Sequence, residues 1–495
     1  MLAVVRTEGT GTAVVTAVGC GGLAVVMAPL GVKGVVAGLG GAGFVAMLVL
    51  VRDRAAVLLS AMVLSLVLLL HKGLGSIADN VHSGAPGLYV STLDVVLAML
   101  YLHWFLQGTF GRDAVAALRR PIFWAPLGAL LISMVSVVAA ADVGLAFAQA
   151  IRFLAMYALF FYLGARVRSR REVAVVLAAL GVLLAVQFVV VGLQWKTGGV
   201  LGLSFLGVPT ELGERTLDTG QLGRPFGTII HPVFMGAVVG MLGLMALSLA
   251  IHLRHRRARI VALGVTGMAV LPMLLAQTRA AAVAFAASAG LLVVGTLAVG
   301  RLSRRAVARA VAAGLVALVA LWPYAYAQFA DNFRTDQFSY ELDSRNELNA
   351  VALEMFYEHP LVGVGLNNFE QALPNFSGYG LIFDGNPVHN LFLLQLSETG
   401  IIGLAGLLLL GAVLVVAALR LARSRDPLFG GIGAGALAMI VFLVLEEQLG
   451  FSLRQEVPLA VFWIVLGLVV ACSSMAPGGR SIGMHSSTVR RTVDE

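Results

Sequence analysis

Three arginines and one histidine in the second half of the chain have residue types suited to binding and transfer chemistry. They are Arg224 in GRPFGTIIHP, Arg279 in AQTRAAA, Arg345 in DSRNELNAV and His389 in NPVHNLFLLQL. A guanidinium group is permanently charged and binds phosphate through two parallel hydrogen bonds. Three such groups near one cavity would suit a diphosphate, and no metal ion would then be needed to neutralise it. The arginines therefore predict a phosphorylated substrate, with no metal and no other cofactor.

His389 is placed where a proton acceptor could act. Asn386 and Pro387 have the residue types of a helix N-cap and first helical residue, which would place His389 in the first turn of the next helix. The positive end of a helix dipole disfavours imidazolium and attracts phosphate. We therefore expect a neutral His389 that accepts a proton. The simpler alternative is a structural residue at the helix start.

Other charged residues in apolar surroundings have simpler interpretations as well. An arginine at a membrane boundary is most often an anchor or a topology signal, although Arg279 interrupts two adjacent apolar segments. Arg152 and Asp94 fall within predicted helices, so they should face the interior or water, and they could pair with each other. Glu446 and Glu447 could bind an acceptor, but solvated carboxylates at a membrane interface are the commoner case.

The composition of the chain is that of a membrane protein, so these residues are expected to lie in or beside a lipid bilayer. The 495 residues are 59% hydrophobic and 12% charged, with a mean hydropathy of +0.92, which excludes an ordinary water-soluble domain. The basic residues that give the net charge of +8 lie in short clusters between apolar segments, which argues for the lipid bilayer and against nucleic acid as a partner. We predict an all-α polytopic transmembrane bundle of about 12–14 helices. The predicted segments are 12–31, 34–51, 55–71, 91–110, 121–140, 145–165, 173–194, 230–251, 259–277, 280–299, 308–328, 400–419, 429–446 and 456–473.

Arginine occurs mainly in every second connection, and this alternation predicts the orientation. The arginine-rich connections contain Arg52 and Arg54; Arg112, Arg119 and Arg120; Arg166, Arg168, Arg170 and Arg171; Arg254, Arg256, Arg257 and Arg259; Arg301, Arg304, Arg305 and Arg309; and Arg420, Arg423 and Arg425. Positive residues in short loops resist translocation, so this side is cytoplasmic, together with both termini.

The orientation places two longer polar segments outside the cell membrane, in loops 196–229 and 329–388. We divide the chain into 1–195, N-terminal helices; 196–328, central helices with the first outer loop; 329–399, the large extracytoplasmic loop and the start of the next helix; 400–475, C-terminal helices; and 476–495, a cytoplasmic tail. Ser344 and Glu347 form an S-x-x-E capping box that predicts a short amphipathic surface helix ending near Pro360. The GVGLNNF sequence that follows predicts a glycine-rich turn.

The segments RPFGTIIHPVFMG, TRAA, SRNELNAVALEMFYEHPLVGVGLNNF and VHNLFLLQLSETGIIGL occur in this order over about residues 220–415. In this order they resemble the O-antigen ligase and polymerase superfamily. The resemblance implies a metal-independent membrane glycosyltransferase of the bacterial inner membrane, whose active site faces the extracytoplasmic side. Its donor would be a polyprenyl-diphosphate-linked glycan and its acceptor a glycan or glycolipid hydroxyl. Arg279 and Arg345 would hold the diphosphate, with Arg224 assisting; His389 would act near the acceptor, and Asn390 would contribute to substrate binding.

Two questions remain open at this stage. The motifs do not distinguish a ligase, which transfers the glycan to a lipid core, from a polymerase, which extends a lipid-linked chain. A transporter or flippase of lipid-linked sugars could use the same arginines. Transporters usually contain repeated halves, whereas here both long polar loops lie on one side and late in the chain, which favours an enzyme.

Overall fold

The computed structural model describes residues 51–75 apart from 52 and 69, 81–206, 223–301, 337–376 and 387–476. Within these ranges the chain forms fourteen α-helices. They are α1 Arg54–Leu64, α2 Thr92–Leu106, α3 Phe110–Leu118, α4 Trp124–Met134, α5 Val143–Arg166, α6 Arg170–Thr197, α7 Pro232–His252, α8 Arg256–Leu275, α9 Arg279–Ala298, α10 Gln337–Glu358, α11 Phe369–Ala372, α12 Leu391–Ala422, α13 Pro427–Glu446 and α14 Glu456–Met475. The predicted segments 12–31, 34–51 apart from Val51, and 308–328, and both termini, lie outside the described residues.

The predicted membrane bundle is confirmed over the described residues. Nine of their helical segments are long and apolar enough to cross a bilayer: α4 together with its flanking 3₁₀ turns (121–139), α5 to α9, and α12 to α14. Two predicted segments differ from the structure. The segment 91–110 forms α2, which already ends at Leu106, and the chain then bends by 109° into α3. The segment 55–71 forms only the short helix α1 followed by a 3₁₀ turn, Ser65–Val67.

One small sheet was not predicted. Strand β1, His71–Gly73, pairs in an antiparallel manner with strand β2, Tyr89–Ser91, with His71 opposite Ser91. Strands of three residues are too short to show the alternation from which a strand is predicted. The sheet precedes α2 and lies next to its capping box, in which the Ser91 side chain accepts from the Asp94 backbone.

Helix α7 lies at the centre of the bundle and is almost entirely buried. It packs against α8, α9, α13 and α14, and its glycines allow close approach. A methyl group at Gly240 would collide with the ring of Phe442 on α13, and one at Gly243 would collide with Ala269 on α8. Small residues bring helix backbones together in membranes, where the lipid supplies no hydrophobic driving force between helices. Gly240 and Gly243 therefore set the spacing of the central helices.

Arg152 and Asp94, two charged residues inside the bundle, are paired, as expected. The Nη2 atom of Arg152 on α5 lies 2.8 Å from each carboxylate oxygen of Asp94 on α2. Its Nη1 atom lies 3.4 Å from Glu456 Oε2, and the guanidinium lies 4.6 Å from the centre of the Tyr89 ring. These distances confirm the predicted pairing of Arg152 with Asp94. The pair is expected because an unpaired charge at this depth in the membrane would be costly.

The polar connections gather at two ends of the bundle. At the end that we name the basic end, Arg171 pairs with Asp53, Arg168 with Asp113 and Arg170 with Asp426. The described parts of the arginine-rich connections therefore meet there. At the opposite end, which we name the loop end, lie the sheet, residues 223–231, the α8–α9 turn, the segment 359–376 and the α13–α14 connection.

Candidate functional site

Arg224 fixes the turn between α8 and α9 at the loop end. Its Nε atom donates to Ala276 O at 2.9 Å and its Nη2 atom to Gln277 O at 3.2 Å. The turn is tight, since Gln277 has a φ of +54°. Arg224 thus uses two of its N–H groups to position the residues immediately before Arg279.

Two glutamines on α6 hold the segment that carries Arg224. Gln194 accepts from Gly227 N at 2.8 Å and donates to Gly227 O at 2.8 Å, while Gln187 donates to Thr228 Oγ1 at 2.7 Å. Both side chains are completely buried. The sequence analysis did not identify them, although a glutamine inside an apolar segment is itself a sign of a specific polar contact.

Arg279 is the first residue of α9 and is half-buried. Its guanidinium group makes no hydrogen bond or ion pair with the residues that the structure describes. A positive side chain is disfavoured at the N-terminus of a helix, because the exposed backbone N–H groups already give that end a partial positive charge. An anion bound here would be attracted both by the guanidinium and by the helix end.

His231, which the sequence left unassigned, lies close to Arg224 and His389. It is the N-cap of α7, and its Nδ1 atom accepts from Val233 N at 3.3 Å. Part of its surface is exposed, yet the enclosing protein, and next the charges of Arg224 and His389, together lower its pKa to about 4. This coupling indicates that His231, Arg224 and His389 share one electrostatic environment.

Two phenylalanines connect the two histidines. The ring centres of His231 and Phe234 are 5.1 Å apart, those of Phe234 and Phe451 are 5.7 Å apart, and those of Phe451 and His389 are 5.6 Å apart. These residues come from α7, from the α13–α14 connection and from the segment before α12. The apolar rings of Phe234 and Phe451 lie between the two histidines.

His389 lies just outside a helix, which corrects one prediction. Helix α12 begins at Leu391, and its N-cap is Asn390, whose Oδ1 atom accepts from Phe392 N at 2.9 Å and Leu393 N at 3.1 Å. The predicted cap, Asn386, lies outside the described residues, and Pro387 is not helical. The placement of His389 in the first turn was therefore wrong, because the H-N pair rather than the N-P pair begins the helix. His389 still adjoins the positive end of α12.

Arg345 lies inside a helix that is longer than predicted. Helix α10 spans Gln337–Glu358, so Ser344 and Glu347 are interior residues and the predicted capping box was wrong. An S-x-x-E sequence also fits one helical turn, so it does not by itself mark a start. The amphipathic pattern and the end near Pro360 are confirmed, with four apolar side chains buried where α10 packs against α12: Leu348, Val351, Ala352 and Met355.

The glycine-rich turn after α10 docks into a break in α12. At Gly400 the helix leaves α-helical geometry, with φ +61° and ψ −168°. Ile401 N then donates to Pro360 O at 2.9 Å, while Val364 N and Gly365 N donate to Ser397 O at 2.9 Å and Glu398 O at 2.8 Å. The predicted turn is confirmed, and its backbone satisfies the groups that the helix break exposes.

A buried ion pair connects this junction to the α13–α14 connection. Arg454 Nη1 lies 2.7 Å from Glu398 Oε2, and both side chains are nearly inaccessible. Arg454 Nη2 also donates to Asn367 Oδ1 at 3.4 Å. Sequence reasoning missed these residues, although a carboxylate within an apolar helix start was an available signal.

Glu446 and Glu447 are buried, so the expectation of solvated carboxylates was wrong. Each is 1% exposed, because the α13–α14 connection folds over them. Glu446 Oε1 accepts from Ser452 Oγ at 3.0 Å, and Glu447 Oε1 accepts from Leu453 N at 2.7 Å. Burial, and next the neighbouring charge of Glu446, raise the pKa of Glu447 well above its usual range.

The sequence model of the O-antigen ligase family matches residues 268–408, from the second half of α8 to the middle of α12. This match supports membership of the O-antigen ligase superfamily for this part of the chain. The protein is a multi-pass, O-antigen ligase-like membrane enzyme. No curated protein matches the chain.

The O-antigen ligase domain contains four of the predicted site residues, Arg279, Arg345, His389 and Asn390, and excludes Arg224. The structure brings Arg224 to the turn before Arg279, and it brings Arg224, His231 and His389 into one environment. Arg345 makes no hydrogen bond or ion pair within the described part of the chain. Asn390 caps α12 and donates to Gln448 at 3.5 Å. The same part of the chain contains no cluster of three or more metal-ligating side chains.

Proposed function

We propose that the protein transfers a glycan from a polyprenyl diphosphate carrier to an acceptor hydroxyl at the outer face of the bacterial inner membrane, without a metal ion. The O-antigen ligase domain supports the reaction class, and the gathering of Arg224, Arg279 and His389 at the loop end supports the place. The side of the membrane rests on the arginine distribution, which favours a cytoplasmic basic end.

The observation that carries the proposal is the guanidinium of Arg279 at the start of α9, which has no partner among the residues that the structure describes. Its charge and the helix end together favour a bound anion, and a diphosphate supplies one. Arg224 donates to the carbonyls of the preceding turn, so its role is to position Arg279 and add positive charge. Arg345 would reach the same diphosphate from α10.

The reaction is a substitution at the anomeric carbon. The acceptor oxygen forms a bond to this carbon while the bond to the diphosphate oxygen breaks, and polyprenyl diphosphate leaves. The acceptor proton passes to His389, and the arginines stabilise the charge that develops on the leaving group. Direct attack predicts inversion at the anomeric carbon. A ligase and a polymerase would share this step and differ only in the acceptor.

The test is glycan transfer by purified protein in detergent, from a polyprenyl-diphosphate donor and with EDTA present, followed as a gel shift of the acceptor. We expect transfer by the parent protein and at least a hundredfold loss in Arg279→Ala and in His389→Ala. Arg256→Ala, which removes an exposed arginine at the basic end, is the matched control and should retain full activity.

Two outcomes would contradict the proposal. Full activity in both site variants would exclude this site. An inactive parent protein that instead moves lipid-linked sugar across vesicle membranes would identify a flippase.

A further inference from the structure

A cavity of about 2790 Å³ opens at the basic end, far from the candidate site. Its long walls are α4 and α12, and its mouth is formed by the α3–α4, α5–α6, α7–α8 and α12–α13 connections. All of its lining residues except Gly406 lie outside the O-antigen ligase domain. The proposed transfer reaction does not use this cavity.

The mouth of the cavity has an excess of positive charge. Five of its arginines make no hydrogen bond or ion pair through their side chains with any described residue: Arg119, Arg254, Arg420, Arg423 and Arg425. The only acidic lining residues, Asp113 and Asp426, already pair with Arg168 and Arg170. Basic residues in membrane connections are common topology signals, but here three separate connections direct them to one opening. Their mutual repulsion would be offset by a bound anion.

The depth of the cavity is apolar. Trp124 and Gly128 on α4 and Gly406 and Leu409 on α12 line it, and Trp124 and Leu409 are 52% and 63% exposed. From Gly406 to Arg420 the helix rises about 21 Å. This distance is comparable to the depth of one leaflet with its headgroup region, which is about 20 Å. The cavity therefore combines a cationic mouth with an apolar groove of lipid length.

We propose that this cavity binds an anionic phospholipid, with its phosphate among these five arginines and an acyl chain along the surfaces of α4 and α12 that line the cavity. The charge complementarity selects an acidic headgroup, and the apolar groove selects a lipid over a free anion. Clusters of arginine between membrane helices on the cytoplasmic side have the chemistry that acidic lipid headgroups require.

Trp124 provides a direct reporter. We would titrate the purified full chain, in uncharged detergent, with brominated phosphatidylglycerol or brominated phosphatidylcholine, and measure quenching of tryptophan fluorescence. Trp124→Phe identifies the part of the signal that comes from the cavity. We expect Trp124-dependent quenching to saturate at lower concentration with the acidic lipid.

Paired variants test the arginines. Arg420→Gln with Arg423→Gln should raise the concentration of acidic lipid needed for half-maximal quenching by about fivefold for each arginine removed. Arg256→Gln with Arg257→Gln removes the same charge from exposed positions at the same end that do not line the cavity, and should leave the quenching unchanged. Inorganic phosphate, added at the same concentration as the lipid, should not reverse the quenching of the parent protein by the acidic lipid.

Three results would overturn the proposal. Equal quenching by both lipids would exclude headgroup selection, and reversal by inorganic phosphate would indicate a free-anion site. The absence of any Trp124-dependent quenching would mean that another part of the chain covers the groove.

Discussion

Arg279 and Arg454 are two arginines at the loop end with opposite surroundings. Arg454 is buried and pairs with Glu398 and Asn367, whereas the guanidinium of Arg279 is half-buried and has no partner among the described residues. This difference in burial and pairing indicates different roles for the two arginines. Arg454 stabilises the junction between α12 and the α13–α14 connection, and Arg279 is available to a substrate.

Removing Arg454 should destabilise the protein strongly. Arg454→Met leaves the Glu398 carboxylate buried without its partner, which costs about 3–5 kcal/mol. We expect a lower midpoint of thermal unfolding in detergent, measured by fluorescence-detected size-exclusion chromatography. Arg425→Met, at an exposed arginine with no side-chain partner among the described residues, should have little effect. Adding Glu398→Gln should recover part of the loss; if Arg454→Met alone had no effect, the ion pair would not be structural.

His231 should remain neutral across the physiological pH range. Its folded-state pKa of about 4 lies below the usual 6.5 of the unfolded chain, so the unfolded chain takes up the proton first as the pH falls. Protonation of His231 in the unfolded chain therefore lowers the free energy of unfolding as the pH falls from about 6.5 to 4, and it has no effect above pH 6.5. Histidine hydrogen–deuterium exchange, followed by mass spectrometry, would give the pKa. A His231 pKa at or above 6.5 would contradict the environment described here.

At the scale of elements, the break in α12 organises the candidate site. Gly400 allows the helix to turn, and the segment after α10 supplies partners for the backbone groups of residues 397–401. A methyl group at Gly363 or Gly400 would overlap backbone atoms of the other segment. The start of α12, which adjoins His389, is thus held relative to α10, which carries Arg345.

A pair of glycine substitutions on one helix tests this junction. Gly400→Ala places a side chain at φ +61° and against the Leu361 carbonyl, so we expect lower thermal stability and loss of transfer activity. Gly411→Ala on the same helix has open space around it and should be neutral or stabilising by up to about 1 kcal/mol. Equal behaviour of the two variants in unfolding and transfer measurements would contradict the proposed role of the break.

The elements also show what the sequence could and could not predict. Long apolar runs identified the segments from α4 to α9 and from α12 to α14, because a helix that crosses the bilayer needs about 20 mostly apolar residues in a row. A helix start near Pro387 and a membrane segment from 400 were predicted, but the break at Gly400 was not, since the helix signal does not reveal a break at a single glycine. Local signals also misplaced helix starts, as at Ser344 and Asn386, because a cap depends on which alternative the tertiary contacts select. The burial of Glu447 depends on the fold of residues 448–455, which no local pattern reveals.

At the scale of the molecule, the two ends of the bundle differ in chemistry. Unpaired and paired arginines gather at the basic end, and the candidate site lies at the loop end. Arginine in short connections is retained in the cytoplasm, so we expect the loop end outside. This arrangement would expose the site to donors already carried across the membrane.

Cysteine labelling in intact cells tests this orientation. In a protein with Cys20 and Cys472 replaced by alanine, Lys72→Cys lies at the loop end and Arg257→Cys at the basic end, both at exposed positions. A membrane-impermeant maleimide should label the first in intact cells and the second only after permeabilisation. The reverse pattern would place the candidate site in the cytoplasm.

The most direct test of the central claim is the binding of polyprenyl diphosphate to the purified protein, measured as an equilibrium dissociation constant. We predict that the parent binds the diphosphate more tightly than the monophosphate. Arg279→Gln should weaken diphosphate binding about tenfold to a hundredfold, as expected for loss of charge-assisted hydrogen bonds. Arg256→Gln should bind as the parent does. Unchanged diphosphate binding in Arg279→Gln, or equal loss in Arg256→Gln, would contradict a diphosphate site at the start of α9.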